Sequence, residues 1–339
     1  MKEVLTTSVT IPFEYTYTII IPHKNIPLLL QRCLDSVPLR NDVQIIVVDD
    51  GSSSNVVDFT NFPGTDRENV EIIFTKDGKG AGYARNCGLL QAKGKWLLFA
   101  DADDFFLPDF LKTLDRYCST DYDLITFRAT SVESDTLTSV HSRQSELLGF
   151  DVAENIDVEK LKYKNDVPWA KMISGALVRK YSLQFDEIPA GNDIMFSFYL
   201  DYYAQHVTVC SDAIYCATIR KDSLQYGVVL DNLLARVRVV CRCNSFLRRI
   251  GREDKLLSSY YRVMQCRKYF GKRGYYKALW IFVCNEHRNM VYATFRGILM
   301  NKVKKRDLPM YFLLVQLQRI WQELKLLMWK SLKRQEFVP

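Results

Sequence analysis

The sequence predicts an α/β protein whose mostly parallel sheet, covered by helices on both faces, is followed by an α-helical C-terminal extension. Three observations carry that reading. Over residues 17–118, short β-branched apolar runs alternate with segments whose apolar residues recur at helical spacing. Beyond residue 225 the strand signals stop and only helical patterns remain. The charge changes at nearly the same place. Residues 1–230 hold 22 Lys+Arg and 32 Asp+Glu, a balance of −10, whereas residues 231–339 hold 24 and 7, a balance of +17. The overall +7 averages two unlike parts, and domains of 1–225 and 226–339 follow. With 48% apolar and 25% charged residues, 339 residues bury a sizeable core, which excludes disorder as the main state.

The elements follow in order. Tyr17–Ile21 is a β-branched run of the kind buried on both faces of a parallel sheet, and Pro22 closes it. Ile26–Val37 has apolar residues at 26, 29, 30, 33, 34 and 37, a helix. Gln44–Val48 is a second buried strand, ended by Asp49-Asp50-Gly51-Ser52, and Glu71–Phe74 a third. Gly80–Ala92 is a helix and Lys95–Ala100 a fourth strand. Leu107–Cys118 is helical again, with Pro108 at a favoured early position. Ligands of such sheets bind beyond the carboxyl ends of the strands. That rule nominates the loops 22–25, 49–54 and 101–105.

Several classes of function drop out early. The loop after the first strand has no glycine, so it lacks the GxGxxG that lets backbone approach a pyrophosphate, and no GxxxxGK[ST] occurs. Hydride transfer and P-loop chemistry are thereby disfavoured. The nine cysteines are scattered without a CxxC pair, which reads as small core residues of a reduced compartment. The first residues lack a continuous apolar signal region, and no run reaches the roughly 18–20 apolar residues of a membrane span. The expectation is a cytoplasmic protein.

After the fourth strand, Asp101-Ala102-Asp103-Asp104 places three carboxylates within four residues. Asp101 and Asp103 share one side of an extended segment. Like charges so concentrated are offset by a hard divalent cation, Mg²⁺ or Mn²⁺, which takes oxygen ligands and keeps room for phosphate. A solvated acidic turn with an N-capping Asp accounts for the same residues.

Together, IIIPHKN, VVDDGS, GAGYARNCGL and FADADD, in that order, resemble the family 2 glycosyltransferases with the GT-A nucleotide-diphospho-sugar transferase fold, over roughly residues 16–225. The resemblance implies that Asp101 and Asp103 are the DxD carboxylates handling the ribose and the metal that holds the diphosphate. Asp103 is then the main metal ligand, with Asp104 beside it, and Mn²⁺ or Mg²⁺ the cofactor. Pro22 and Asn25 match the loop walling the base and ribose. Asp50 matches the carboxylate that accepts from uracil N3–H, although an Asx turn explains it too. Arg85, with Asn86, matches the helix beneath the nucleotide, where a guanidinium suits a pyrophosphate or a base carbonyl; an ion pair to Asp49 or Asp50 is the structural alternative.

Further resemblances cover the acceptor side. Inverting transfer needs a base to deprotonate the acceptor hydroxyl. Asp193, in Gly191-Asn192-Asp193, resembles the family's ED motif with Asn192 replacing the usual acid, and it would otherwise cap the helix Ile194–Tyr203. Trp169 and Lys171 resemble the WxK segment that faces the acceptor; core packing is the plainer role for Trp169. Arg220 and Ser223 resemble a Y-R-x-x-x-S lid over the diphosphate, or else belong to a basic surface pair. His23 and His206 sit in no matching motif, so no third protein ligand is assigned.

The extension reads as helices at 231–250, 255–269, 275–289 and 308–332. In the last, Met310, Leu314, Leu317, Trp321, Leu324 and Met328 form one stripe flanked by basic residues. Residues 302–334 therefore suit an anionic membrane surface, or a helix packed on the protein with its charges in solvent. Nothing resembles a nucleic-acid module. The expected function is inverting, metal-dependent transfer of a sugar from a nucleotide-diphosphate donor, a UDP-sugar by the resemblance. The acceptor would be a glycan or lipid-linked glycan at the inner face of a bacterial cytoplasmic membrane, in surface polysaccharide assembly. The competing reading is a non-catalytic sugar-nucleotide or glycan-binding module on the same fold.

Overall fold

The computed structural model describes residues 13–140, 158–220 and 229–304, with backbone alone at 160 and 297–304. The chain divides into two compact units, Met1–Gly227 and Val228–Pro339.

The first unit is built on an eight-stranded mixed sheet. Its strands are β1 (Tyr15–His23), β2 (Val43–Asp50), β3 (Val70–Thr75), β4 (Gly94–Phe99), β5 (Phe105–Phe106), β6 (Leu124–Glu133), β7 (Lys171–Ser174) and β8 (Val207–Ile219). They lie in the order β3-β2-β1-β4-β7-β6-β8-β5. The β3-β2-β1-β4 half is parallel, and β7 joins it antiparallel to both β4 and β6. The helices α1 (Pro27–Asp35), α2 (Ala81–Gln91), α3 (Phe110–Asp115), α4 (Val158–Leu161), α5 (Gly175–Lys180) and α6 (Ile194–Tyr203) complete the unit.

The apolar runs of the central strands are explained by two-sided burial. In β1, Tyr17, Ile19 and Ile21 join Leu30, Cys33 and Leu34 of α1 in one core. Ile20, on the opposite face, joins Leu97, Phe99 and Phe196. All eight residues of β2 are buried. The third strand differs from its neighbours because it forms the sheet edge, leaving Phe74 48% exposed. The helix expected over 107–118 is shorter than its pattern suggests. Phe105 and Phe106 pair with Cys216 and Tyr215, and Leu107 N–H donates to the Ile214 carbonyl, so the start of the segment serves as an edge strand.

The second unit is helical: α7 (Leu230–Arg249), α8 (Ser259–Asn285) and α9 (Arg288–Lys304), with a 3₁₀ turn at Glu253–Lys255. The break expected after residue 269 is a kink within α8 at Gly271, whose φ of 59° and ψ of −146° are open to glycine. Residues 305–334, most of the basic stretch named above, lie outside the described residues.

Candidate functional site

The carboxyl ends of β1, β2 and β4 bring the loops 22–25, 49–54 and 101–105 together, and the first two are laced by hydrogen bonds. Asp49 accepts from His23 Nδ1 at 2.7 Å, Ser52 Oγ at 2.5 Å and Ser52 N–H at 3.0 Å. His23 Nε2 accepts the Ile26 N–H, so the ring proton sits on Nδ1. Burial pushes the Asp49 carboxyl up, but the His23 and Ser52 hydrogen bonds outweigh it and hold the group below its ordinary value. Asn25, at φ 56°, gives its N–H to Ser52 Oγ at 2.8 Å and accepts the Ser53 N–H on Oδ1 at 2.7 Å. It follows Pro22 in the same loop and ties that loop to the DDGS turn.

Asp50 is buried. Its Oδ1 accepts from Thr75 Oγ1 at 2.8 Å and its Oδ2 from Gly80 N–H at 2.6 Å, at the start of α2. Each oxygen retains one lone pair for another donor.

Helix α2 carries the strut of the site. Arg85 is buried, pairing with neither Asp49 nor Asp50. Its Nη2 donates to Asp101 Oδ1 at 2.5 Å and its Nη1 to Asn192 Oδ1 at 2.9 Å. One guanidinium thus joins the turn after β4 to the turn before α6, which carries Asp193. Asn86 exchanges both its amide groups with the Phe185 backbone, at 2.8 and 3.0 Å. Gly82 is required for this docking, since a side chain there would collide with the Asp186 carbonyl.

The three acidic residues after β4 part company. Asp101 is 36% exposed, with Oδ1 on Arg85; Asp103 is 21% exposed, with Oδ2 on Arg220 Nε at 3.0 Å. In each, the second oxygen has no partner among the described residues. Burial first, then Asp101, pushes the Asp103 carboxyl up, against the pull of Arg220. Asp104 turns inward instead: Oδ1 accepts the Thr218 N–H at 2.6 Å and Oδ2 the Tyr215 hydroxyl at 2.8 Å. Burial and its acidic neighbours push it well above the ordinary range. Asp104 therefore fastens β8 to the turn with both its oxygens.

The two residues expected on the acceptor side are both buried. Trp169 is buried and stacks on Tyr215 with ring centroids 5.1 Å apart, so its face meets a core aromatic. Lys171 is 2% exposed and donates to the Asn165 carbonyl at 2.9 Å. Burial lowers its pKa, opposed by Asp201, Asp166 and Asp193. Both residues support the site from below.

Asp193 stands at the N-cap position of α6, but its side chain makes no capping hydrogen bond. Burial pushes it to about 6, with Arg85 pulling the other way. A carboxylate not engaged in capping and shifted toward neutrality has the properties of a general base. Ser223 lies outside the described residues.

Three contributors were missed in the sequence. Tyr215 accepts the Asp101 N–H at 2.9 Å while donating to Asp104. Thr218 Oγ1 donates to the Asp103 carbonyl at 2.7 Å. From α1, Arg32 donates to the same carbonyl at 2.6 Å and to the Ser134 carbonyl at 2.8 Å. Only Thr218, two residues before Arg220, had a motif nearby to draw attention to it.

Among the described residues no three His, Cys, Asp or Glu side chains form a ready metal shell. Two partly open carboxylates nevertheless suit a hard ion that keeps water and phosphate ligands, as Mg²⁺ does.

Comparison with known proteins places this site in context. Residues 18–182 match the family model described as Glycosyl transferase family 2. EpsH of Bacillus subtilis (strain 168) is 24% identical over 203 residues, 58% of each chain. The poly(ribitol-phosphate) beta-glucosyltransferase of Bacillus spizizenii is 26% identical over 218 residues, 62% of this chain and 33% of the relative. The chain thus spans about half or less of these relatives. The structure of S. aureus TarS 1-349 in complex with UDP-GlcNAc superimposes with a TM-score of 0.63 at 19% identity, covering 81% of this chain and 82% of that one. The likeness shows the GT-A type of fold with a helical extension.

Proposed function

Because residues 18–182 match the model of glycosyl transferase family 2, we propose that the chain is an inverting, metal-dependent glycosyltransferase moving a sugar from a nucleotide-diphosphate donor to a glycan or lipid-linked glycan acceptor. The observation that carries this reading is the Arg85 strut, which holds the Asp101 turn and the Asn192-Asp193 turn on one guanidinium. Donor-side carboxylates and a base for the acceptor thereby face one site.

The donor is a UDP-sugar. Asp50 accepts uracil N3–H through its remaining lone pairs, while Pro22 and Asn25 wall the base and ribose. Asp101 takes ribose, and Asp103 with Asp101 would hold Mn²⁺ or Mg²⁺. When bound, that ion supplies Lewis-acid stabilisation of the departing diphosphate. Arg220, with Ser223, adds cationic and hydroxyl contacts to the same phosphates and exchanges its hold on Asp103 for them. Asp193 removes the proton of the attacking hydroxyl. The donor assignment is supported by the TarS complex with UDP-GlcNAc. Assignment to surface polysaccharide synthesis draws on the poly(ribitol-phosphate) relative. A lipid-linked acceptor puts the reaction at the inner face of the cytoplasmic membrane, with the basic stretch 302–334 as one contact.

Assaying UDP release from a panel of UDP-sugars, with Mn²⁺ or Mg²⁺ and with EDTA, tests the reading. Metal-dependent release from one donor, accelerated by acceptor, is expected. Donor binding without turnover across all acceptors would leave the non-catalytic module in its place.

A further inference from the structure

We infer that the outward face of α8 beyond its kink is a docking face for an anionic lipid surface. After Gly271 the helix turns Gly274, Ala278, Ile281 and Phe282 inward, and the last three pack in a core with Leu233, Leu234, Val237 and Cys241 of α7. The opposite arc is exposed. Lys272, Tyr276 and Trp280 follow one another at four-residue steps, with Arg273 and Lys277 in the adjoining row. Tyr276 is 63% and Trp280 46% exposed, although two large aromatics on one line of a water-facing helix bury no apolar surface there. None of the three flanking cations has an acidic partner among the described residues.

Charge selects the partner. Residues 256–304 contain ten Lys+Arg and one acid, Glu286. That acid is buried and already bound to Arg248, Asn244 and Ser259. The face therefore presents an uncompensated positive field around amphipathic rings. Tyr and Trp settle at the headgroup level of a bilayer, while Lys and Arg stems reach its phosphates. A second copy of the chain fits poorly, because a two-fold contact would set these cations against themselves. Nucleic acid would use the charge but leave the aromatic row without a reading role. No described helix is long and apolar enough to cross a membrane, so the contact is interfacial. The residues of this surface, 272–280, precede the stretch 302–334 in sequence, and the inference does not depend on the transfer chemistry.

Flotation of the full chain with phosphatidylcholine vesicles, with and without phosphatidylglycerol, tests the inference. The protein should float only with the anionic vesicles and be released by salt. Lys272→Gln/Arg273→Gln/Lys277→Gln should weaken binding by about tenfold or more, and Tyr276→Ser/Trp280→Ser should weaken it at every salt concentration. Unchanged thermal melting and UDP release in solution would show that both variants fold. Three results would overturn the inference: wild-type binding by both α8 variants, with loss only on substituting Lys302, Lys304 and Lys305; a dimer in sedimentation that the Tyr276/Trp280 change dissolves, without flotation; or retention of duplex oligonucleotide in place of vesicles.

Discussion

The turns after β2 and after β4 both bring acidic side chains to the carboxyl end of a strand buried on both faces, yet they use their charge differently. At the first, Asp49 and Asp50 are met by neutral donors: His23, Ser52, Thr75 and the Gly80 N–H. Those bonds hold three loops in register. At the second, Asp101 and Asp103 are each held by one guanidinium nitrogen and, among the described residues, keep an oxygen open, while Asp104 serves the framework. Carboxylates of one motif thus divide into those that build the site and those left to act in it. Within the Asp101–Asp104 turn, the dividing line is whether both oxygens are occupied.

Asp193 belongs with the open set, and its removal should have the largest effect. Asp193→Asn is expected to lower kcat for UDP release by about 10²-fold or more, with donor affinity by calorimetry changed less than about twofold. Activity near that of wild type would place the base elsewhere.

Replacing members of the second turn one at a time sharpens the contrast. Asp103→Asn should abolish the response to Mn²⁺ or Mg²⁺ while leaving the melting temperature near that of wild type. Asp104→Ala should do the reverse, because Thr218 N–H and Tyr215 OH lose their acceptor. A loss of about 1–3 kcal/mol in stability per buried group follows, measurable by urea unfolding. Equal behaviour of the two variants would erase the distinction.

The pH profile gives a milder test. Burial raises Asp193 to about 6 from 3.8, so the base form is present above that value. The kcat should fall about tenfold per unit below about pH 6, and this limb should be missing from whatever activity Asp193→Asn retains. Stability moves in the opposite sense. A raised carboxyl favours the folded state below its ordinary value of 3.8, and that contribution is lost as pH rises through about 6. A flat profile in both measurements would contradict the assigned environment.

The smallest effect is expected on the framework side. Thr75→Val removes one of the two donors on Asp50 and should cost about 1 kcal/mol, with a modest rise in donor KM and little change in kcat.

Much of the scaffold was legible because its signals are local. Two-sided burial leaves continuous apolar runs at 17–21 and 44–48, although Pro22 does not end β1, which runs on to His23 with Pro22 paired to Val48. The two helices expected on either side of residues 270–274 correspond to the break at Gly271, where the backbone leaves the helical region. Apolar spacing alone did not separate the edge strand β3 from its buried neighbours. The burial of Trp169 and Lys171 was not legible, because a motif shows which residues occur together, not which way each side chain turns.

By itself the sequence determined the alternation of elements, the change of charge between the two units and the acidic residues at two strand ends. These rest on periodicity and on neighbours a few positions apart. Which carboxylates stay open was decided only in three dimensions, because their partners come from far along the chain. Tyr215 lies 111 positions from Asp104 and Arg220 lies 117 from Asp103. A hydrogen bond saturates an oxygen only when packing delivers its donor, and that delivery depends on the sheet order β4-β7-β6-β8 and on the docking of α2.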